Sequence, residues 1–227
     1  MFDAKIISIS GMPVRRILLE LNPTDAAQYT FWAGQYLEIV TPSHVIPMSI
    51  ASAPSRLPQI ELHFRANPNA PDAQALNDAL AQEKYLSITS PQGDVRSGEL
   101  DQPLLIIAGG SGAAQAFSCI EARHGKLAPT DSPCAPTTVV WCADQASDIY
   151  AEAELARFPN VTVYAHVDDR RTPENEGLVW LSVHALEYQD AYILIAGSPG
   201  FVNIVTELLI SKNIPRGQLH SDMYAFT

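Results

Sequence analysis

Leu104-Leu105-Ile106-Ile107-Ala108-Gly109-Gly110-Ser111-Gly112-Ala113-Ala114-Gln115-Ala116 is the stretch on which the fold turns. Its first five residues form an unbroken apolar run of strand length, and a helical stretch follows the glycines to about Arg123. A strand without polar alternation is expected where both faces of a sheet are covered, as in a parallel sheet. Gly109, Gly110, Ser111 and Gly112 between that strand and the helix let the backbone approach a ligand and aim free N–H groups at a pyrophosphate. A tight strand-to-helix turn is the other reading, because Gln115 stands where the dinucleotide fingerprint has its third glycine.

Downstream the same rhythm continues. Strands are expected at Thr138–Cys142, Val161–His166 and Ala191–Ala196, and helices near Ile149–Arg157, Leu178–Leu186 and Phe201–Lys212. Ala196-Gly197-Ser198-Pro199 repeats the strand-to-helix arrangement, with Gly197 able to lie close to a planar ligand and Pro199 suited to a first helical position. In an open parallel sheet both loops fall at the carboxyl edge, where ligands bind. Residues 100–227 are therefore expected to form a doubly wound α/β domain of nucleotide-binding type.

Upstream the sequence changes character. Residues 1–99 carry short β segments broken by turn chemistry, at Ala4–Ile9, Val14–Leu21, Tyr36–Val40, Met48–Ala51, Ile60–Phe64 and Tyr85–Thr89. Six such strands predict a small antiparallel β-barrel. One helical patch interrupts them from Asp72 to Gln82, with Asp72 as the expected N-cap and Ala75, Leu76, Ala79 and Leu80 on one apolar face, placed to plug an end of the barrel.

Composition narrows the class of function. The chain has 227 residues, 47% hydrophobic and 17% charged, enough for two compact domains. A net charge of −11 argues against binding nucleic acid through phosphate neutralisation. No eighteen-residue apolar run predicts a membrane span, and the start, Met1-Phe2-Asp3-Ala4-Lys5-Ile6-Ile7, has no signal-peptide pattern, so a cytoplasmic enzyme is expected. Cys119, Cys134 and Cys142 lack the spacing of a disulfide framework or an iron–sulfur site, and the six histidines never take metal-ligand spacing. Any redox chemistry thus needs an organic cofactor or a separate partner.

A specific likeness enters at Ile46-Pro47-Met48-Ser49-Ile50-Ala51-Ser52. This resembles the Arg-Pro-Phe-Ser-Ile/Met-Ala-Ser strand of bacterial flavin reductases and luciferase-associated reductases, in the ferredoxin-NADP reductase superfamily, with Ser49, Ala51 and Ser52 matching. Phe31-Trp32-Ala33-Gly34-Gln35-Tyr36-Leu37 is similar to the family's Phe-x-Ala-Gly-Gln-Tyr-Leu strand, and Ile60-Glu61-Leu62-His63 to its Ile-Glu-Leu-His strand. Asp222-Met223-Tyr224-Ala225-Phe226 is similar to its Asp-x-Phe-Ala-Phe ending, so the likeness runs nearly end to end.

The resemblance implies a flavin-binding barrel followed by an NAD(P)H domain, with a hydride passing from nicotinamide to flavin in the cleft between them. It implies that Ser49 stands near flavin N5 and that Pro47, Met48, His63 and Arg65 border the flavin. The Gly110–Gly112 turn would hold the pyrophosphate, Gly197 would leave room for nicotinamide, and Tyr224 or Phe226 would cover a ring. Reduced flavin would pass to an oxygenase, a luciferase or a ferric acceptor.

Two departures refine this. Ile46 replaces the family arginine, and Arg65-Ala66-Asn67-Pro68 lacks the Gly-x-x-Ser turn of members with resident FAD, so the flavin (riboflavin, FMN or FAD) is expected to come and go as a substrate. Asp144 stands where relatives often carry arginine, which favours NADH over NADPH, since a carboxylate accepts from a ribose hydroxyl and repels a 2′-phosphate. The same departures leave open a degenerate, non-catalytic nucleotide-binding member, or the reductase component of an oxygenase with a separate iron–sulfur partner.

Overall fold

A computed structural model of the chain describes residues 1–96, 101–125, 134–170 and 172–226, with side chains up to residue 224. The expected boundary at 99/100 lies outside the described residues, as does the side chain of Phe226.

The first half is one antiparallel sheet of six strands. They are β1 (Phe2–Ser10), β2 (Val14–Leu21), β3 (Tyr36–Val40), β4 (Val45–Ser49), β5 (Gln59–Arg65) and β6 (Tyr85–Ile88), in the order β4-β3-β6-β1-β2-β5. Alternation sets the inward faces: Ile17, Leu19 and Leu21 of β2 and Leu37 and Ile39 of β3 are buried, while their neighbours are less so. The sheet curls until its ends meet only at an Ile50–Leu62 bridge, where the Ala51 N–H donates to the Glu61 carbonyl at 2.8 Å. It is thus a half-barrel with a nearly open seam between β4 and β5, and the seam becomes important below.

A short helix, α1 (Pro23–Ala26), is capped by Asn22, which accepts from the Asp25 N–H at 2.9 Å. The expected helix of the first half is present as α2 (Pro71–Gln82), packing Leu76 and Leu80 into the core of the curled sheet. Asp72 does not cap it. Proline has no N–H to lose and a φ suited to the first helical position, so Pro71 starts the helix one residue earlier, with Ala70 before it and Asp72 in the first turn.

The second half is a five-stranded parallel sheet, β7 (Leu104–Gly109), β8 (Thr137–Ala143), β9 (Val161–Val167), β10 (Tyr192–Ala196) and β11 (Leu219–His220), in the order β11-β10-β7-β8-β9. Four helices cover it: α3 (Ala113–Gly125), α4 (Glu152–Leu155), α5 (Glu176–His184) and α6 (Pro199–Ser211). Leu104, Ile106 and Ala108 of β7 face α3 and α4, while Leu105 and Ile107 face α5 and α6. Both faces are buried, which is why β7 is written as a continuous apolar run. The direction of winding changes between β7 and β10, whose carboxyl ends lie side by side with Ala108 paired to Ala196.

The expected helix over Ile149–Arg157 shrinks to α4. Ile149 and Ala151 take non-helical backbone angles, and Tyr150 between them is held in an aromatic cluster with Phe117 and Trp141, so tertiary packing overrides local propensity. No helix among the described residues is long and apolar enough to cross a membrane.

Leu76 is 1% exposed beneath the half-barrel. We expect Leu76→Ala to lower unfolding free energy by about 2–4 kcal/mol in urea denaturation, the range for a cavity left in a core of this kind.

Candidate functional site

The two sheets meet over a cavity of about 580 Å³. From the half-barrel it is bordered by Tyr36, by Pro47, Met48 and Ser49 on β4, and by His63 and Phe64 on β5, the two sides of the open seam. From the parallel sheet come Gly109, Ser111 and Gly112 after β7, and Ala196, Gly197 and Ser198 after β10. Gln115 and the C-terminal Ser221, Asp222 and Met223 complete it. A volume of this size suits a cofactor or a small ligand.

The glycines divide by cause. A Cβ on Gly112 would stand 2.6 Å from the Ala196 carbonyl oxygen, and one on Gly197 would meet the Phe201 ring at 2.8 Å. One on Gly109 would meet the same ring at 2.9 Å. These three are required by the close approach of the β7 and β10 loops to each other and to Phe201. Gly110 differs, because it has φ +54° and nothing within 4 Å of its Cβ position. Its place in the turn is required by its backbone conformation and not by crowding, and it does not itself border the cavity.

Asp222 is the carboxylate of the cavity. The Gln115 amide donates to it at 2.5 Å and to the Gly34 carbonyl at 2.6 Å, tying the C-terminal turn, α3 and the half-barrel together. Burial outweighs those contacts and pushes the Asp222 carboxyl up to about 6. Neither Gln115 nor Asp222 was expected as a site residue; Gln115 was noted only as the missing glycine of the fingerprint, and the deviation itself was the signal.

Next to His63 lies a polar knot whose centre, Glu61, is buried and whose outer members, Arg16, Arg56 and Glu154, are partly exposed. Glu61 accepts from Arg16 Nε at 2.6 Å and from Arg56 Nη1 at 2.9 Å, while Arg16 Nη1 donates to Glu154 across the divide at 2.6 Å. The His63 side chain is 1% exposed, with Nε2 at 3.0 Å from Glu61 and Nδ1 at 2.7 Å from the Tyr150 hydroxyl. A neutral ring donating to Glu61 and accepting from Tyr150 satisfies all three groups. Burial lowers the His63 pKa in keeping with this. Burial alone would raise Glu61, but hydrogen bonds from His63 and Arg16 outweigh it and hold the carboxylate below its usual range. His63 thus borders the cavity with its ring committed to the contact between the sheets.

The remaining expected residues lie elsewhere. Arg65 Nε pairs with Asp148 at 3.0 Å. Pro199 opens α6 next to Ser198, which caps the helix by accepting from the Phe201 N–H at 3.4 Å. Asp144 follows β8 at the carboxyl edge of the sheet, outside the cavity. Tyr224 stands beside α6, its hydroxyl 2.7 Å from Thr206 Oγ1 and its ring 3.6 Å from the Arg216 guanidinium carbon, and it does not border the cavity. No group of side chains able to hold a metal ion occurs among the described residues.

Known proteins share this arrangement. No family model matches the chain. An NAD(P)H-flavin reductase of Vibrio harveyi is 28% identical over 243 residues, covering 99% of this chain and 98% of its own. A probable flavin reductase of Photobacterium leiognathi is 25% identical over 213 residues, 88% of each chain. Among solved structures, ferredoxin-NADP+ reductase from Plasmodium falciparum superposes with a TM-score of 0.76 at 12% identity, over 97% of this chain and 95% of that one. The chain is thus similar to flavin reductases over nearly its whole length, and it has the fold of ferredoxin-NADP+ reductase.

Asp222 gives a pH signature that follows from its burial. The unfolded chain releases that proton near pH 4 and the folded chain near 6, so folding is favoured below about 4 and loses stability as pH rises to 6. We expect Asp222→Asn to remove that loss, gaining about 1–3 kcal/mol over wild type at pH 7 and little at pH 4, read from urea midpoints across the range.

Proposed function

We propose that the chain is an NAD(P)H:flavin oxidoreductase whose residues 1–99 hold the flavin and whose residues 100–227 hold the dinucleotide. The observation that carries this reading is the cavity itself. Ser49, on a strand that resembles the flavin-facing strand of flavin reductases, and the Gly109–Gly112 and Gly197 loops at the switch of a parallel sheet border one and the same space. The chemistry supplied by the bound pair is a two-electron hydride transfer from reduced nicotinamide to flavin N5.

The chain's own part is positioning. The Ser49 hydroxyl would orient the flavin ring with one hydrogen bond. The Gly110–Gly112 turn would hold the pyrophosphate, while the close packing of Gly112 on Ala196 keeps the β7 and β10 loops together on one side of the slot. Met48, Phe64 and Met223 limit water at its walls.

A substrate flavin is supported by what the walls lack. No lysine or arginine borders the cavity among the described residues. Ile46, in place of the family arginine, is 6% exposed and packed into the half-barrel core, and Arg65 is engaged by Asp148. A flavin phosphate would therefore find no guanidinium in the cavity, which favours loose binding and riboflavin as the best acceptor. Asp144 favours NADH, and a cytoplasmic setting fits a diffusible flavin.

Steady-state assays test the reading directly. We expect NADH oxidation with riboflavin, FMN and FAD by a protein that is colourless as purified; absence of turnover with all three would remove the function, and stoichiometric yellow flavin would remove the substrate model. Ser49→Ala should lower kcat about tenfold, the worth of one hydrogen bond of about 1.4 kcal/mol realised at the reacting centre. Asp144→Ala should move the NADPH-to-NADH ratio of kcat/KM upward, and an unchanged ratio would show that Asp144 does not read the ribose.

A further inference from the structure

Trp141, at the end of β8, is fully buried, yet its indole N–H reaches out of the core to donate to the Gly110 carbonyl at 3.0 Å. The same oxygen accepts from the Ala113 N–H where the 3-10 turn (Gly110–Gly112) passes into α3. Two donors thus converge on one carbonyl of the turn that borders the cavity.

The consequence lies in the next peptide group. In a trans peptide the C=O and N–H point in opposite directions, so a Gly110 carbonyl held down toward Trp141 points the Ser111 N–H away from the indole. Ser111 borders the cavity. The first N–H groups of such a turn have no acceptor within it, so they remain available to a ligand.

Without the indole, this orientation would rest on the single Ala113 hydrogen bond. Gly110 has φ +54° and open space at its Cβ position. Glycine tolerates either sense of the following peptide, and a flip would put a carbonyl where the N–H had been. A carbonyl dipole there would repel a phosphate. The Trp141 bond selects one orientation, and the ring that supplies it cannot drift. It packs edge-on to Tyr150 at 5.1 Å and to Phe117 at 6.3 Å, and the Tyr150 hydroxyl is anchored by His63 of the half-barrel.

We propose that Trp141 is a positioning residue for the dinucleotide: its indole N–H fixes the Gly110–Ser111 peptide so that the Ser111 N–H is presented to the pyrophosphate. This rests on the NAD(P)H:flavin oxidoreductase reading above. Trp141 touches neither reactant, so its effect belongs to dinucleotide affinity and not to the flavin side or the hydride step.

The test is Trp141→Phe, which keeps the buried ring and removes the N–H. With riboflavin as acceptor, the KM for NADH should rise about 3- to 10-fold, the worth of one neutral hydrogen bond, while kcat at saturating NADH and the KM for riboflavin stay within about twofold. An unchanged KM for NADH overturns the proposal. So does a parallel rise in both KM values with a fall in kcat, the pattern of a general packing defect. A second measurement needs no such variant. With indole signals assigned through Trp32→Phe and Trp180→Phe, NAD+ added to the wild-type chain should shift the Trp141 N–H resonance in ¹H–¹⁵N spectra, and riboflavin should not; a Trp141 signal unmoved by bound NAD+ overturns the proposal. A wild-type chain that neither binds NAD+ nor oxidises NADH would instead remove the function on which the role depends.

Discussion

Glu61 is the point at which the two halves are fastened. It sits in β5 among apolar neighbours and is held by Arg16, Arg56 and His63, and through Arg16 and His63 it reaches Glu154 and Tyr150 of the parallel sheet. A buried carboxylate is costly unless its lone pairs are met, and here all three partners come from the half-barrel, two of them reaching on to Glu154 and Tyr150 across the divide. Parting the halves would expose a set of charges arranged to satisfy one another. Beside the slot the halves are thus joined by the Arg16–Glu154 pair and the His63–Tyr150 hydrogen bond, although the slot's own walls are mainly apolar or small.

The same economy extends along α3. Ser118 Oγ donates to the Ser52 carbonyl at 2.8 Å, the Ala53 N–H donates to Glu121 at 2.8 Å, and the Gln115 amide donates to the Gly34 carbonyl. Three successive turns of one helix are thus moored to the half-barrel. Because α3 begins at the Gly110–Gly112 turn, docking the helix also sets where that turn stands relative to Ser49. The open seam between β4 and β5 follows from the same arrangement: those strands meet only at Ile50 and Leu62, and the residues beyond the bridge are free to border the cavity.

Much of this was legible in residue order. The apolar run of β7 announced a strand buried on both faces, and the half-barrel strands were marked by alternation and turn residues. Ser49 and the Gly109–Gly112 and Gly197 loops were singled out by local motif. Other features were misread or missed. Asp72 looked like a cap because Pro71 was not credited with opening the helix, and Ile149–Arg157 looked helical because the pull of Trp141 and Phe117 on Tyr150 is invisible in a window of nine residues. Tyr224, offered by likeness as a cover for a ring or as a residue buried on the sheet, has its contacts with Thr206 and Arg216.

By itself the sequence determined the two kinds of sheet, their order along the chain and the loops at which ligands should gather, since hydrophobic period and turn chemistry act over a few residues. Only the tertiary structure decided that Gln115 and Asp222 enter the cavity, that the His63 ring is committed to Glu61 and Tyr150 and that Trp141 grips the Gly110 carbonyl. Pairings such as Arg16 with Glu61 and Glu154 span 45 and 138 positions, and in sequence any carboxylate is an equally good partner for a guanidinium. Which one it meets is settled when the two sheets close on each other, because burial then penalises every charge left without a partner.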